Sequence, residues 1–140
     1  MASIVVGYDG SASGEAALDA ALEIAAPLGD RITVVFGYAP PGIWGGEIAD
    51  HEEAIEELGE RLVGKAREQA AGHGVEIGAD LVAKRGVEAL IDAAAERDAR
   101  LIVVGSYGES ALKGIILGST TNKLLHLTDR PVLVVPAEER

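Results

Sequence analysis

The chain has no cysteine, a single tryptophan, phenylalanine and methionine, and 12 basic residues against 23 acidic ones. Without cysteine there are no disulfides, no thiolate nucleophile and no cysteine-ligated metal, a composition compatible with a reducing compartment. Aromatics supply 4% of the residues, so aliphatic side chains and alanine must fill the core. The formal charge of −11 repels polyanions, so general nucleic-acid binding and adhesion to an anionic membrane are not expected. No apolar run approaches the ~18 residues of a membrane span. Met1 leads straight into a strand pattern, with no basic and apolar leader. A cytoplasmic protein without a membrane or nucleic-acid partner is the expectation.

Several catalytic signatures are missing too. There is no G-x4-G-K-[ST] phosphate loop, no G-x-G-x-x-G after the first strand, and no G-x-S-x-G elbow. His51-Glu52-Glu53-Ala54-Ile55 lacks the second histidine of a zinc helix, and His51, His73 and His126 show no ligand spacing. A phospho-acceptor aspartate is absent after the third strand pattern, where the chain reads Ala83-Lys84-Arg85-Gly86. No general base or water-positioning residue can be named.

What is present is a regular alternation of strands and helices. Short apolar runs rich in β-branched residues predict strands at Ser3–Gly7, Arg31–Gly37, Val75–Lys84, Leu101–Gly105 and Val132–Val135. Helical spacing predicts a first helix through Ala17, Leu18, Ala21, Leu22 and Ala25, capped by Ser13 and stopping near Pro27 with Gly29 beyond. A long acidic helix is predicted over Glu47–Ala71, with Ala54, Ile55, Leu58, Leu62 and Val63 inward and its glutamates in solvent. Further helices are predicted over Val87–Arg97 and Ser119–Leu127, the last with Leu124, Leu125 and Leu127 as apolar positions. At 140 residues and 14.4 kDa this is one domain spanning residues 1–140. The alternation implies an α/β fold, a parallel sheet with helices on both faces. The Pro- and Gly-rich stretch Tyr38–Gly46 reads as a loop, and its Trp44 is either a clip onto the body or a contact for a ligand or partner.

The centre of the pattern is Leu101–Thr120. A buried strand ends at Gly105, a loop with Gly108 and Gly114 follows, and Gly118-Ser119-Thr120 opens a helix. Backbone N–H groups at a helix start, together with the positive dipole end, favour an anion. Glycines let the backbone approach it, and Ser119 and Thr120 add hydroxyl donors.

The spacing Gly105-x2-Gly108-x9-Gly118-Ser119 resembles the nucleotide-binding signature of the universal stress protein family. Ile4-Val5-Val6-Gly7-Tyr8-Asp9-Gly10-Ser11 is similar to that family's first strand and turn, and Arg130–Pro136 to its last strand. The likeness covers nearly the whole chain and is weakest over 38–75. It implies a single Rossmann-like domain of the adenine nucleotide alpha hydrolase type, with strand order 3-2-1-4-5. The order reverses between strands one and four, where such sheets bind ligands. The resemblance implies that Tyr8, Asp9 and Gly37 surround the base, and that Val104 lines the same cleft. It implies that Gly105, Gly108, Gly118, Ser119 and Thr120 hold ribose and phosphates. Bottom-up, Asp9 suits ribose hydroxyls or the adenine amino group, or else bonds its own turn.

Some positions depart from the family pattern. Tyr107 stands where histidine is frequent, Glu109 and Gly114 where basic residues are frequent, and Gly37 where valine or isoleucine is usual. Glu109 beside the loop favours a less charged nucleotide such as AMP or cyclic AMP, or a magnesium bridge, while Lys113 either reaches a phosphate or lies in solvent. The resemblance implies an ATP-binding stress-response module, with magnesium and with slow hydrolysis if any. The competing readings are an AMP- or cyclic-AMP-binding variant, a nucleotide-free interaction dimer, and a true enzyme such as an ATPase or phosphotransferase. A homodimer through the last strand, Val132, Leu133, Val134 and Val135, is the expected assembly.

Overall fold

The computed structural model describes residues 2–37, 48–82, 86–106 and 119–136. The elements are β1 (Ser3–Gly7), α1 (Ala12–Leu28), β2 (Arg31–Gly37), α2 (Ile48–Ala70), β3 (Ile77–Val82), α3 (Gly86–Glu96), β4 (Leu101–Gly105), α4 (Ser119–Leu127) and β5 (Val132–Val135). They build one parallel sheet in the order β3-β2-β1-β4-β5, the order expected.

Period-two alternation sorts the strand side chains into two cores. Ile4, Val6, Ile32, Val34 and Val103 face α1 and α2, where Leu18, Leu22, Leu62 and Ala66 cover them. Val5, Val35, Ile102 and Val104 face α3 and α4, under Leu90, Ala94 and Leu124. β1 and β4 thus bury side chains on both faces, which is why their sequences read as unbroken apolar runs.

Three local expectations are corrected. Ser11, not Ser13, caps α1: its side chain accepts from the Gly14 N–H at 3.2 Å, and Ser13 is buried. The inward row of α2 is Leu58, Leu62, Ala66 and Ala70, while Ala54, one step back on the same i, i+4 row, is exposed. On α4, Leu124 is fully buried but Leu125 and Leu127 are exposed, and Thr121 takes the second inward place. α1 ends as expected, with Gly29 at φ 70° supplying the left-handed cap, although Pro27 fits inside the last turn.

Candidate functional site

Parallel strands deliver their carboxyl ends to one edge of the sheet. That edge carries Tyr8 and Asp9 after β1, Gly37 at the end of β2, and Val104 and Gly105 at the end of β4. Sheet order reverses between β1 and β4, so Asp9 and Gly105 flank the break in topology.

The N-terminus of α1 fills part of that break. A Cβ on Gly105 would lie 1.8 Å from Ser13 Oγ and 2.7 Å from the Ser13 carbonyl oxygen, so only glycine lets the helix sit here. A Cβ on Gly14 would lie 2.9 Å from Asp9 Oδ1 and 3.2 Å from Asp9 N. The close approach of two backbones is therefore a reason for glycine at position 105 that the loop pattern did not carry. On the other side of β4, the buried Thr121 donates its hydroxyl to the Gly105 carbonyl at 3.1 Å, tying the first turn of α4 to the strand end. A continuous set of contacts thus runs Asp9, Gly14, Ser13, Gly105, Thr121.

Asp9 itself is exposed. Its Oδ1 accepts from the Ser11 N–H at 2.9 Å and from the Ser11 hydroxyl, so the turn aspartate does bond its own loop. The Asp-x-Ser pattern holds the carboxylate at the mouth of the edge rather than folding it inward. Gly10, between them, has φ 80°, a conformation natural to glycine.

Tyr8 is 3% exposed, and its ring joins the core between α1 and α2. Its hydroxyl is buried without a hydrogen-bond partner. Burial, assisted by the negative charges of Glu15, Asp9 and Asp19, pushes its pKa up to about 12. Val104 likewise faces the α3 and α4 core, so its side chain packs rather than points outward. Ser13 Oγ and Ser106 Oγ are the other buried, unpartnered side-chain atoms among the described residues, and both flank Gly105. Ser119 and Thr120 open α4. Gly108 and Gly118 lie outside the described residues, as do Tyr38, Trp44, Tyr107, Glu109, Lys113 and Gly114.

Sequence reasoning did not place Gly14, Lys65, Ser106 or Thr121 at the site, and it read Ser11 only as part of the β1 turn and Ser13 only as a helix cap. The Asp-x-Ser spacing was a legible signal for Ser11. The others are set by contacts between distant segments.

No described helix is long and apolar enough to cross a membrane, and no cluster of three histidine, aspartate or glutamate side chains is placed to hold a metal ion among the described residues.

A parallel sheet with helices on both faces and its break between β1 and β4 defines a doubly wound α/β class. Comparison with known proteins narrows it. Residues 1–136 match the sequence model of the Universal stress protein family. The chain belongs to that family. A universal stress protein of Thermus aquaticus is 35% identical over 134 residues, with 95% of this chain and 97% of that protein aligned. One from Mycolicibacterium smegmatis is 32% identical over 145 residues, covering 98% of this chain but 49% of its own length, so the chain spans about half of such relatives.

Among solved structures, a universal stress protein in complex with cAMP is 29% identical with a TM-score of 0.73 and covers 98% of both chains. One from Archaeoglobus fulgidus in complex with dAMP is 25% identical with a TM-score of 0.71, covering 96% of this chain and 97% of that one. A Burkholderia pseudomallei member is 30% identical with a TM-score of 0.76, covering 97% of this chain and 96% of that one.

Proposed function

We propose that this protein binds an adenine nucleotide at the carboxyl edge of its sheet, between β1 and β4, and acts as a regulatory module whose output depends on occupancy. The observation that carries the reading is the joining, at one topological break, of the exposed Asp9 carboxylate and the β4 end that starts the glycine signature. Family members solved with cAMP and dAMP, aligned over nearly the whole chain, support it.

The residues at the edge suit such a ligand. Asp9 offers an exposed acceptor for ribose hydroxyls or the adenine amino group. Thr121 fixes the opening amides of α4 beside Gly105, where phosphate is favoured. Gly37, Gly105, Gly108, Gly118, Ser119 and Thr120 complete the proposed contact set. Tyr8 and Val104 contribute through their main chains and by supporting the edge from within the core. ATP with magnesium is the proposed ligand. Turnover is expected to be slow. Multiple-turnover ADP release well above a Gly118→Val control would move the protein into the ATPases.

A homodimer through β5 is the proposed assembly. Among the described residues β5 pairs only with β4, and its four residues are half-buried. A monomeric mass in solution at ~100 µM, or a dimer undisturbed by Val134→Lys, would overturn it.

The test of the nucleotide reading is calorimetric titration of stripped protein with ATP, AMP and cyclic AMP, with and without magnesium. ATP binding that requires magnesium supports the reading as stated. Preference for AMP or cyclic AMP replaces ATP with the less charged ligand. Absence of heat and of thermal shift at millimolar ligand, where mass action must stabilise a binding protein, overturns it.

A further inference from the structure

The β1–α1 turn, Asp9-Gly10-Ser11, is held from outside by one helix. Lys65 of α2 donates from Nζ to the Gly10 carbonyl at 2.9 Å and pairs with Glu15 Oε1 at 2.6 Å. Leu62, one turn earlier on α2, lies over Gly10: a Cβ on that glycine would meet Leu62 Cδ2 at 2.9 Å. One turn later, Gln69 Nε2 donates to the Glu15 carbonyl and to Asp19 Oδ1, both at 2.7 Å. Leu62, Lys65 and Gln69 thus form a strip along α2 that grips the turn and the first two turns of α1.

Within the turn, Asp9 Oδ1 takes two hydrogen bonds from Ser11, and Ser11 Oγ takes one from the Gly14 N–H. The carboxylate direction is therefore set by the conformation of Gly10, which sits at φ 80° with its carbonyl turned to Lys65. Releasing that carbonyl frees the one residue of the turn with the widest backbone choice.

We propose that Lys65 is a positioning residue for the nucleotide site, holding the Asp9 carboxylate at the sheet edge through the Gly10 carbonyl. The proposal rests on the nucleotide reading above. Lys65 does not contact the ligand; it fixes the residue that does. Its side chain is half exposed, so its contribution to global stability is small, and its effect belongs to binding.

The test uses the full chain and the variants Lys65→Ala, Lys65→Arg and Asp9→Ala. Affinities for adenosine, AMP and ATP are measured by calorimetry. Exchange of the Ser11 and Gly14 amides is followed without ligand. Lys65→Ala is expected to speed exchange at both amides. It is expected to weaken all three ligands by a similar factor, about three- to tenfold, as loss of one orienting hydrogen bond would. Lys65→Arg restores most of that loss. In the Asp9→Ala background, Lys65→Ala has little further effect, since the group it positions is gone.

Losses that grow from adenosine to ATP would make Lys65 a direct electrostatic attractor of phosphate and overturn the positioning role. Unchanged affinity and unchanged exchange in Lys65→Ala, with wild type binding, overturns the proposal and leaves the nucleotide reading standing. Wild type that binds none of the three ligands overturns both, while faster exchange in Lys65→Ala would still assign the turn's order to this lysine.

Discussion

The two ends of the sheet are built by opposite rules. At the amino ends of the strands, the one buried carboxylate among the described residues is paired and exposed ion pairs surround it. Asp30 has a side chain 1% exposed, and it accepts from Arg100 Nε at 2.8 Å and from the Ala2 N–H at 3.3 Å. Arg130 donates to the Ala99 carbonyl at 2.8 Å and pairs with Asp98, while Arg31 pairs with Glu76. These bonds staple the segments entering β1, β2, β4 and β5. At the carboxyl ends, the hydroxyls of Tyr8, Ser13 and Ser106 are buried without partners, and glycines bring two backbones into contact. An unpaired buried hydroxyl costs about 1–3 kcal/mol relative to a paired one. The carboxyl edge thus holds three orphaned hydroxyls beside the satisfied bonds of Asp9, Ser11 and Thr121. The comparison teaches that this edge is shaped by close backbone approach, whereas the amino edge is closed by ion pairs.

The sharpest way to break this contrast is Gly105→Ala. The added methyl meets both the Ser13 hydroxyl and its carbonyl, so α1 must shift. A loss of roughly 3 kcal/mol in urea denaturation is expected. Ser13→Ala in the same chain should recover part of it and not all, because the carbonyl clash remains. An unchanged urea midpoint in Gly105→Ala would refute the packing account.

Next in size is Arg100→Met at the other end. It leaves the buried Asp30 carboxylate without its cation and should cost about 2 kcal/mol, reduced from a fully buried pair because Arg100 is half exposed. Nucleotide affinity should not change. A large loss of affinity with this variant would mean that the two ends are not separate.

Smaller effects are expected from removing the orphaned hydroxyls. Tyr8→Phe and Ser13→Ala should each leave stability unchanged or raise it by up to about 1 kcal/mol, the reverse of deleting a paired group. A clear destabilisation by either would show that the hydroxyl has a partner in solution.

The tyrosine also gives a pH signature. With its ordinary pKa of 10.0 raised to about 12 in the folded protein, Tyr8 favours the folded state while it stays protonated. Below pH 10 that contribution is fully present. It is lost as pH rises through 10 to 12, because the unfolded chain releases the proton first. Tyrosinate absorbance should show a late-titrating component that is absent in Tyr8→Phe. Identical titration curves for the two proteins above pH 10, apart from amplitude, would contradict the burial.

Much of this architecture is legible in the sequence. β-branched runs closed by glycine located β1, β2 and β4 to the residue, and the strand order came from the family likeness rather than from periodicity. Helix faces were less legible. Ala54 and Leu125 fit an apolar stripe by spacing, yet both are exposed, because a stripe shows where a helix is apolar and not how it is rotated on its neighbour. At the site, Asp9 and Gly105 were both visible as residues of interest. The reason for Gly105 was not, since it lies in Ser13, a residue of another segment that reads equally well as a helix cap. Lys65 was invisible for the same reason. An exposed lysine on an acidic helix carries no local signal, and its partner is a backbone carbonyl on the far side of β2 in the chain.

The most direct test of the central claim is an amide-resolved titration of the protein with ATP, with and without magnesium. Binding at the carboxyl edge predicts saturable shifts at Asp9, Gly10, Ser11, Gly105, Ser106 and Thr121, with Asp30, Ala99 and Arg100 unmoved. Saturable shifts confined to the amino edge, or none with ATP, AMP or cyclic AMP at millimolar concentration, would contradict it.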